Sequence, residues 1–318
     1  MSAALLFPGQ GSQAVGMGKA LAEAFPIARA VFAEVDAALG QSLSTLMWDG
    51  PADDLTLTAN AQPALMAVSV ALVRVIEAEA GLDMRRDVAF VAGHSLGEYA
   101  ALAAAGTFSV ADAARLLRIR GDAMQKAVPA GQGAMAALIG TELDAARAIA
   151  QDAAQGDVCE VANDNGGGQV VLSGSKAAVE RAMALAGERG VRRAVLLPVS
   201  APFHCSLMQP AADAMREALA RVMMSAPAIP VMANVGAAPL AEPAAIRDSL
   251  VAQVTGTVRW RECVAAMAAA GVTAFHEVGS GKVLTGLGKR IAPDASFTAV
   301  NGPDDIAAFA AAFAAARG

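Results

Sequence analysis

The sequence predicts an α/β protein: a parallel-sheet domain with a smaller ferredoxin-like subdomain inserted into it. Three observations carry this expectation. In the first third, short apolar runs end in glycine-rich turns and lead into helical periodicity, the rhythm of a parallel sheet. Between 129 and 197 the order becomes strand, helix, strand, strand, helix, strand, which is the split β-α-β arrangement. The chain has 318 residues, 55% of them hydrophobic, enough for two domains with their own cores.

Residues 3–7 read as a buried strand that runs into Pro8-Gly9-Gln10-Gly11-Ser12-Gln13. Helical spacing follows over 18–39 and again over 63–80. A second apolar strand, 88–92, is closed by Gly93 and followed by a helix from Leu96, and a further helix covers 110–128. In the insertion, strands at 134–139, 158–162, 169–172 and 192–197 alternate with helices at 142–154 and 176–187. Gly166-Gly167-Gly168 forms the turn between the middle strands. Pro129-Ala130-Gly131 and Pro198 mark the seams, so 1–128 and 198–318 form the large domain and 129–197 the small one. An amphipathic helix after Pro303 closes the fold.

Composition excludes several classes. A net charge of −6 and a pI near 5.2 argue against nucleic acid, which calls for a basic face. Three cysteines are too few for a disulfide framework and fit a reducing, cytoplasmic setting. The apolar run 263–275 is too short to span a bilayer, and 1–7 lacks the basic start of a secretory signal.

The strongest local motif is Gly93-His94-Ser95-Leu96-Gly97. It is a G-x-S-x-G sequence between an apolar strand and a helix, where small residues permit a sharp turn that projects a serine hydroxyl at a helix N-terminus. Ser95 and Glu98 also spell a capping box, S-x-x-E, which needs no catalysis. A nucleophilic serine needs a base, and there are three histidines. His94 adjoins Ser95 and points elsewhere on an extended segment, although it is placed to line a pocket. His276 sits at a strand end and reads as structural. His204, in the loop Ser200-Ala201-Pro202-Phe203-His204-Cys205, is the favoured base, in part by elimination.

Arg120 lies on the apolar side of its helix, beside Leu116, Leu117, Ala123 and Met124, whereas Asp112, Arg115, Arg118 and Asp122 form the solvated side. A guanidinium there needs an anionic partner. A salt bridge to a protein carboxylate, or snorkelling to solvent, is the readier reading; a clamp for a substrate carboxylate is the other. Gly279-Ser280-Gly281-Lys282 fails as a phosphate loop, because Val283 replaces the Ser or Thr such loops require, and Gly9-Gln10-Gly11 lacks the third glycine of a dinucleotide site. No metal-ligand spacing is present.

Taken together, Phe7-Pro8-Gly9-Gln10-Gly11-Ser12-Gln13, Gly93-His94-Ser95-Leu96-Gly97-Glu98-Tyr99, Arg120-Gly121, Pro202-Phe203-His204 and Glu277-Val278-Gly279-Ser280-Gly281-Lys282-Val283-Leu284 resemble the malonyl-CoA:acyl carrier protein transacylases of bacterial fatty acid synthesis. The motifs stand in family order from 5 to 291. The resemblance implies an α/β-hydrolase-like large domain, with Ser95 as acylated nucleophile and His204 as its base. It implies an oxyanion hole from the N–H groups of Gln10 and Leu96, and a main-chain carbonyl of Gln253 that orients the histidine. Arg120 would bind the malonyl carboxylate, which reverses the weighting above. Asn163 and Asn165 are expected to shape the site from the small subdomain. Phe203 is expected to favour malonyl over methylmalonyl groups. Ser280 and Thr257 stand where many relatives have proline, a difference of loop shape.

The implied partners are malonyl-CoA and acyl carrier protein, acting on a monomer, with no cofactor because thioester exchange is nearly thermoneutral. Lys282, Lys289 and Arg290, or Arg189, Arg192 and Arg193, are candidate contacts for an acidic carrier, and solvated faces read equally well. A malonyl transferase serving malonate decarboxylation or polyketide synthesis, and a serine thioesterase, are the alternatives.

Overall fold

Strand β1 (Ala3–Phe7) is buried from Ala4 onward, as befits a strand covered by helices on both faces. The computed structural model describes residues 2–317. The predicted helix 18–39 is two helices, α1 (Lys19–Ala24) and α2 (Pro26–Leu39). Phe25 between them is extended, at φ −127° and ψ 115°, because a residue before proline avoids the helical region. Two short helices, α3 (Leu43–Asp49) and α4 (Ala52–Thr56), lead into α5 (Thr58–Ala80), which starts before Pro63 rather than at it. By length and composition α5 could cross a membrane, but 83% of its most apolar window is buried in the protein, so it is a core helix.

Helix α6 (Met84–Asp87) precedes β2 (Val88–Gly93), α7 (Gly97–Ala104) and α8 (Val110–Ala127). Then come β3 (Gly133–Ile139), α9 (Leu143–Ala154), β4 (Cys159–Gly166), β5 (Gln169–Ser175), α10 (Lys176–Glu188) and β6 (Arg193–Leu196), in the predicted order. A 3-10 turn at Ser206–Met208 opens the last third, with α11 (Gln209–Ala220), β7 (Val231–Ala233), β8 (Ala238–Leu240), α12 (Pro243–Thr255) and α13 (Trp260–Ala269). The remaining elements are β9 (Ala274–Val278), α14 (Val283–Ile291), β10 (Ser296–Val300) and α15 (Pro303–Arg317).

The larger sheet has the order β10-β9-β1-β2-β7-β8, parallel except for β8 at its edge. Alternate residues of β1 serve different cores. Leu5 and Phe7 join the core built on α2, α5, α7 and α8, and Ala4 and Leu6 join the one beneath α13 and α14. The smaller sheet, β4-β5-β3-β6, is antiparallel throughout and packs α9 and α10 over a third core. β4 continues past the predicted end at Ala162 through Asn163, Asp164 and Asn165. Tertiary bonds hold these poor strand formers extended: Asp164 N–H donates to Val258 O at 3.0 Å, and Val258 N–H to Ala162 O at 2.9 Å. Register shifts after Val161 and after Asp164 mark bulges there, which re-aim side chains. β4 thereby reaches the residue that follows β2, with Asn165 Oδ1 2.9 Å from His94 Nε2.

Candidate active site

β2 ends at a turn too tight for side chains. A Cβ on Gly93 would stand 1.8 Å from the carbonyl carbon of Gly97, and one on Gly97 would stand 2.3 Å from Phe7 O. Between these glycines Ser95 adopts the left-handed conformation, φ 54°, at a cost of about 1–2 kcal/mol for a residue with a Cβ. Asn234, just past β7, secures the turn from both sides: its Oδ1 accepts from Ser95 N–H at 2.8 Å and its Nδ2 donates to Gly93 O at 2.7 Å. The capping-box reading is overturned. Helix α7 has Leu96 as its N-cap with no side-chain cap, and the Glu98 carboxylate turns away to Asn234 and Gln253.

His204 is also left-handed, φ 59°, in a loop where the Cys205 thiol donates to Pro202 O at 3.1 Å. Its Nε2 lies 2.7 Å from Ser95 Oγ, and its Nδ1 lies 2.8 Å from Gln253 O. A carbonyl only accepts, so Nδ1 carries the hydrogen and Nε2 presents a lone pair to the serine. Burial, then the neighbouring Arg120, pushes His204 down to about 3. At neutral pH it is an uncharged base.

Arg120 reaches the same point from α8. It is 1% exposed. Nη1 donates to Gln62 Oε1 at 2.8 Å, and Nη2 to Gln253 Oε1 at 2.9 Å and Ser95 Oγ at 3.1 Å. The salt bridge that the helix pattern alone favoured is absent: the hydrogen-bond acceptors of Arg120 among the described residues are two neutral amides and the serine, and Nε has none. The Tyr99 ring adds a cation–π contact at 5.7 Å. Gly121 makes this possible, because a Cβ there would stand 2.5 Å from Ala59 Cα. Its absence lets α8 press onto α5 and bring Arg120 to Gln62.

Other candidates surround this centre. His94 Nε2 is 2.9 Å from Asn165 Oδ1, and its ring lies 5.6 Å from that of Trp260; burial pushes its pKa down. Asn165 rather than Asn163 thus bonds to the elbow. Asn163 is buried and bridges to Val258 through its backbone. Phe203, next to His204 in the chain, is 8% exposed and packs in the main core. The Gln10 loop lies on the elbow, where a Cβ on Gly9 would stand 2.7 Å from His94 O. Gln10 Oε1 accepts from Thr58 Oγ1 at 2.5 Å. Among the described residues no acceptor engages the N–H of Gln10 or Leu96. His276 is remote: it bonds Thr298 Oγ1 at 2.7 Å and faces a cavity of about 770 Å³ between β10 and α15. No group of three potential metal ligands occurs among the described residues.

A family model for the acyl transferase domain matches residues 4–300. Malonyl CoA-acyl carrier protein transacylase of Escherichia coli K12 is 48% identical over 305 residues, which cover 96% of this chain and 97% of that protein. The chain belongs to the malonyl CoA-acyl carrier protein transacylase family. The family member of Bacillus subtilis 168 is 44% identical, over 95% of this chain and 94% of its own. The solved acyl-carrier-protein-S-malonyltransferase of Bartonella henselae superposes with a TM-score of 0.96 at 56% identity, covering 99% of this chain and 100% of that one. A malonyl-transacylase solved with a type II PKS acyl-carrier protein superposes at 0.93 with 43% identity, covering 96% and 98%. As in this transacylase family, the fold is α/β and hydrolase-like, and the protein is an acyltransferase.

Gln62, Asn234 and the side chain of Gln253 take part in this geometry without any expectation from sequence, and Glu98 takes part in a way other than the capping expected of it. Gln62 had a usable signal, since it is a polar residue within the apolar span of α5, the same anomaly that singles out Arg120. Asn234 had none, being one amide after a three-residue strand.

Proposed function

We propose that this transacylase moves a malonyl group from malonyl-CoA to the phosphopantetheine thiol of acyl carrier protein through a malonyl-Ser95 ester. One observation carries the reading. A buried guanidinium, held by neutral amides, lies 3.1 Å from a serine oxygen that is itself 2.7 Å from a neutral histidine. That constellation unites a nucleophile, its base and a receptor for the far carboxylate of a diacid.

His204 Nε2 takes the Ser95 proton as Oγ attacks the thioester carbonyl, and Gln253 O stabilises the imidazolium formed. The N–H groups of Gln10 and Leu96 receive the oxyanion, each worth about 3–4 kcal/mol in sites of this kind. The C–S bond breaks, CoA leaves with the proton from His204, and malonyl-Ser95 remains. The carrier thiol then gives its proton to His204 and attacks the ester, and serine departs with that proton. Arg120 holds the malonate end through both steps; His94, Phe203 and Asn163 line the acyl site. No cofactor takes part. Residues 129–197 act as a small subdomain walling the site. The three cysteines are free and buried, which supports a reducing cytoplasmic setting. The enzyme acts as a monomer, with no membrane or nucleic acid as partner.

Intact-mass measurement after mixing with malonyl-CoA tests the reading. The native protein should gain one malonyl group, Ser95→Ala should gain none, and the group should pass to carrier protein on its addition. A native protein that stays unmodified, or one that releases free malonate as fast as it loads carrier, refutes it.

A further inference from the structure

Glu98 lies on the first turn of α7 and is 1% exposed. Its Oε2 accepts from Gln253 Nε2 at 2.8 Å and from Asn234 N–H at 3.1 Å. Gln253 faces two ways. Nε2 also donates to Ser95 O at 3.0 Å, and Oε1 accepts from Arg120 at 2.9 Å. A carboxylate only accepts and a guanidinium only donates. Glu98 and Arg120 therefore fix the orientation of the amide between them, oxygen towards the cation and nitrogen towards the anion.

The spacing has a chemical consequence. A carboxylate directly on Arg120 would occupy the donors that a substrate carboxylate needs. A buried cation with no counter-charge would be very costly. One intervening amide satisfies both demands: it holds an opposite charge nearby and leaves the guanidinium open towards Ser95.

We propose that Glu98 is a positioning residue for the anion clamp: through the Gln253 amide it orients Arg120 and balances its charge without closing it. The inference rests on the malonyl-transfer reading above. Burial pushes the Glu98 carboxyl up to about 7, against the opposing pull of Gln253, Asn234 and Arg120, so the test is run above that pH.

Transfer to carrier protein is measured at pH 8 with malonyl-CoA and acetyl-CoA for the native enzyme, Glu98→Gln, and the doubly substituted Glu98→Gln, Gln253→Glu. The second variant moves the charge onto Arg120 and keeps the Gln253 main-chain carbonyl that holds His204. The readout is the ratio of malonyl to acetyl kcat/KM, in which general damage to the site cancels. Glu98→Gln should lower the ratio about tenfold or more, mainly through the KM for malonyl-CoA, and the double variant should lower it further. A ratio reduced less than tenfold from the native value in either variant overturns the inference. Either variant decides alone if the other does not fold. A native enzyme without malonyl transfer would instead refute the underlying reading.

Discussion

His204 stays uncharged well into the acid range because it is buried and faces a cation. Its pKa is about 3 in the folded chain against an ordinary 6.5, so the unfolded chain binds the proton that the folded one refuses. Its contribution to stability is complete above pH 6.5 and is lost as pH falls towards 3. Melting temperature should therefore drop along that acid limb, and drop less steeply in His204→Gln. Formation of malonyl-Ser95 should continue at pH 5; loss of rate with a midpoint near 6.5 would show an ordinary imidazole. Arg120→Ala should cut malonyl transfer about a hundredfold or more, the worth of a lost buried charged pair, and acetyl transfer far less. Equal losses would remove the clamp. Ser95 was legible through the glycines that flank it, Arg120 because a guanidinium on an apolar stripe violates its local context, and His204 largely by elimination among three histidines. Asn234 violates nothing nearby, and its role exists only once β7 lies beside β2.

Helices and strands follow local periodicity, and their ends follow contacts that periodicity does not contain. α2 starts where Pro26 requires it, a local rule readable in advance. β4 outruns its apolar pattern because Val258 pairs with it from ninety-odd residues away in the chain. Helix α8 shows the sharpest conflict between levels. Alanine at Gly121 would raise helix propensity by about 1 kcal/mol. Its Cβ would also press on Ala59 Cα at 2.5 Å, and overpacking of that kind costs about 1–3 kcal/mol. Gly121→Ala should thus lower the midpoint of chemical denaturation and slow malonyl transfer. A rise in the midpoint would mean that α5 and α8 can separate freely.

Across the whole molecule, the two sheets were foreseeable from the order of elements, whereas their mutual placement was not. It is set by pairings between β4 and the segment Thr257–Val258, by Arg261 on Asp164 at 2.8 Å, and by His94 on Asn165. Two of the arginines read from the sequence as candidate contacts for an acidic carrier lie near the β4–β5 turn: Arg290 packs on Gly167, and Arg192, within the smaller sheet's own unit, packs on Gly140. Replacing both arginines with alanine should slow transfer to carrier protein and leave the mass gain from malonyl-CoA intact. An unchanged transfer rate would place docking elsewhere.

Ser95 and His204, which we read as nucleophile and base, both hold backbone shapes that suit glycine better than serine or histidine. At Ser95, whose side chain is small, catalytic competence and thermal endurance therefore pull in opposite directions. A library screened for heat resistance alone would be drawn towards Ser95→Gly, a hardier chain incapable of turnover. Improvement of this catalyst requires both properties to be selected at once.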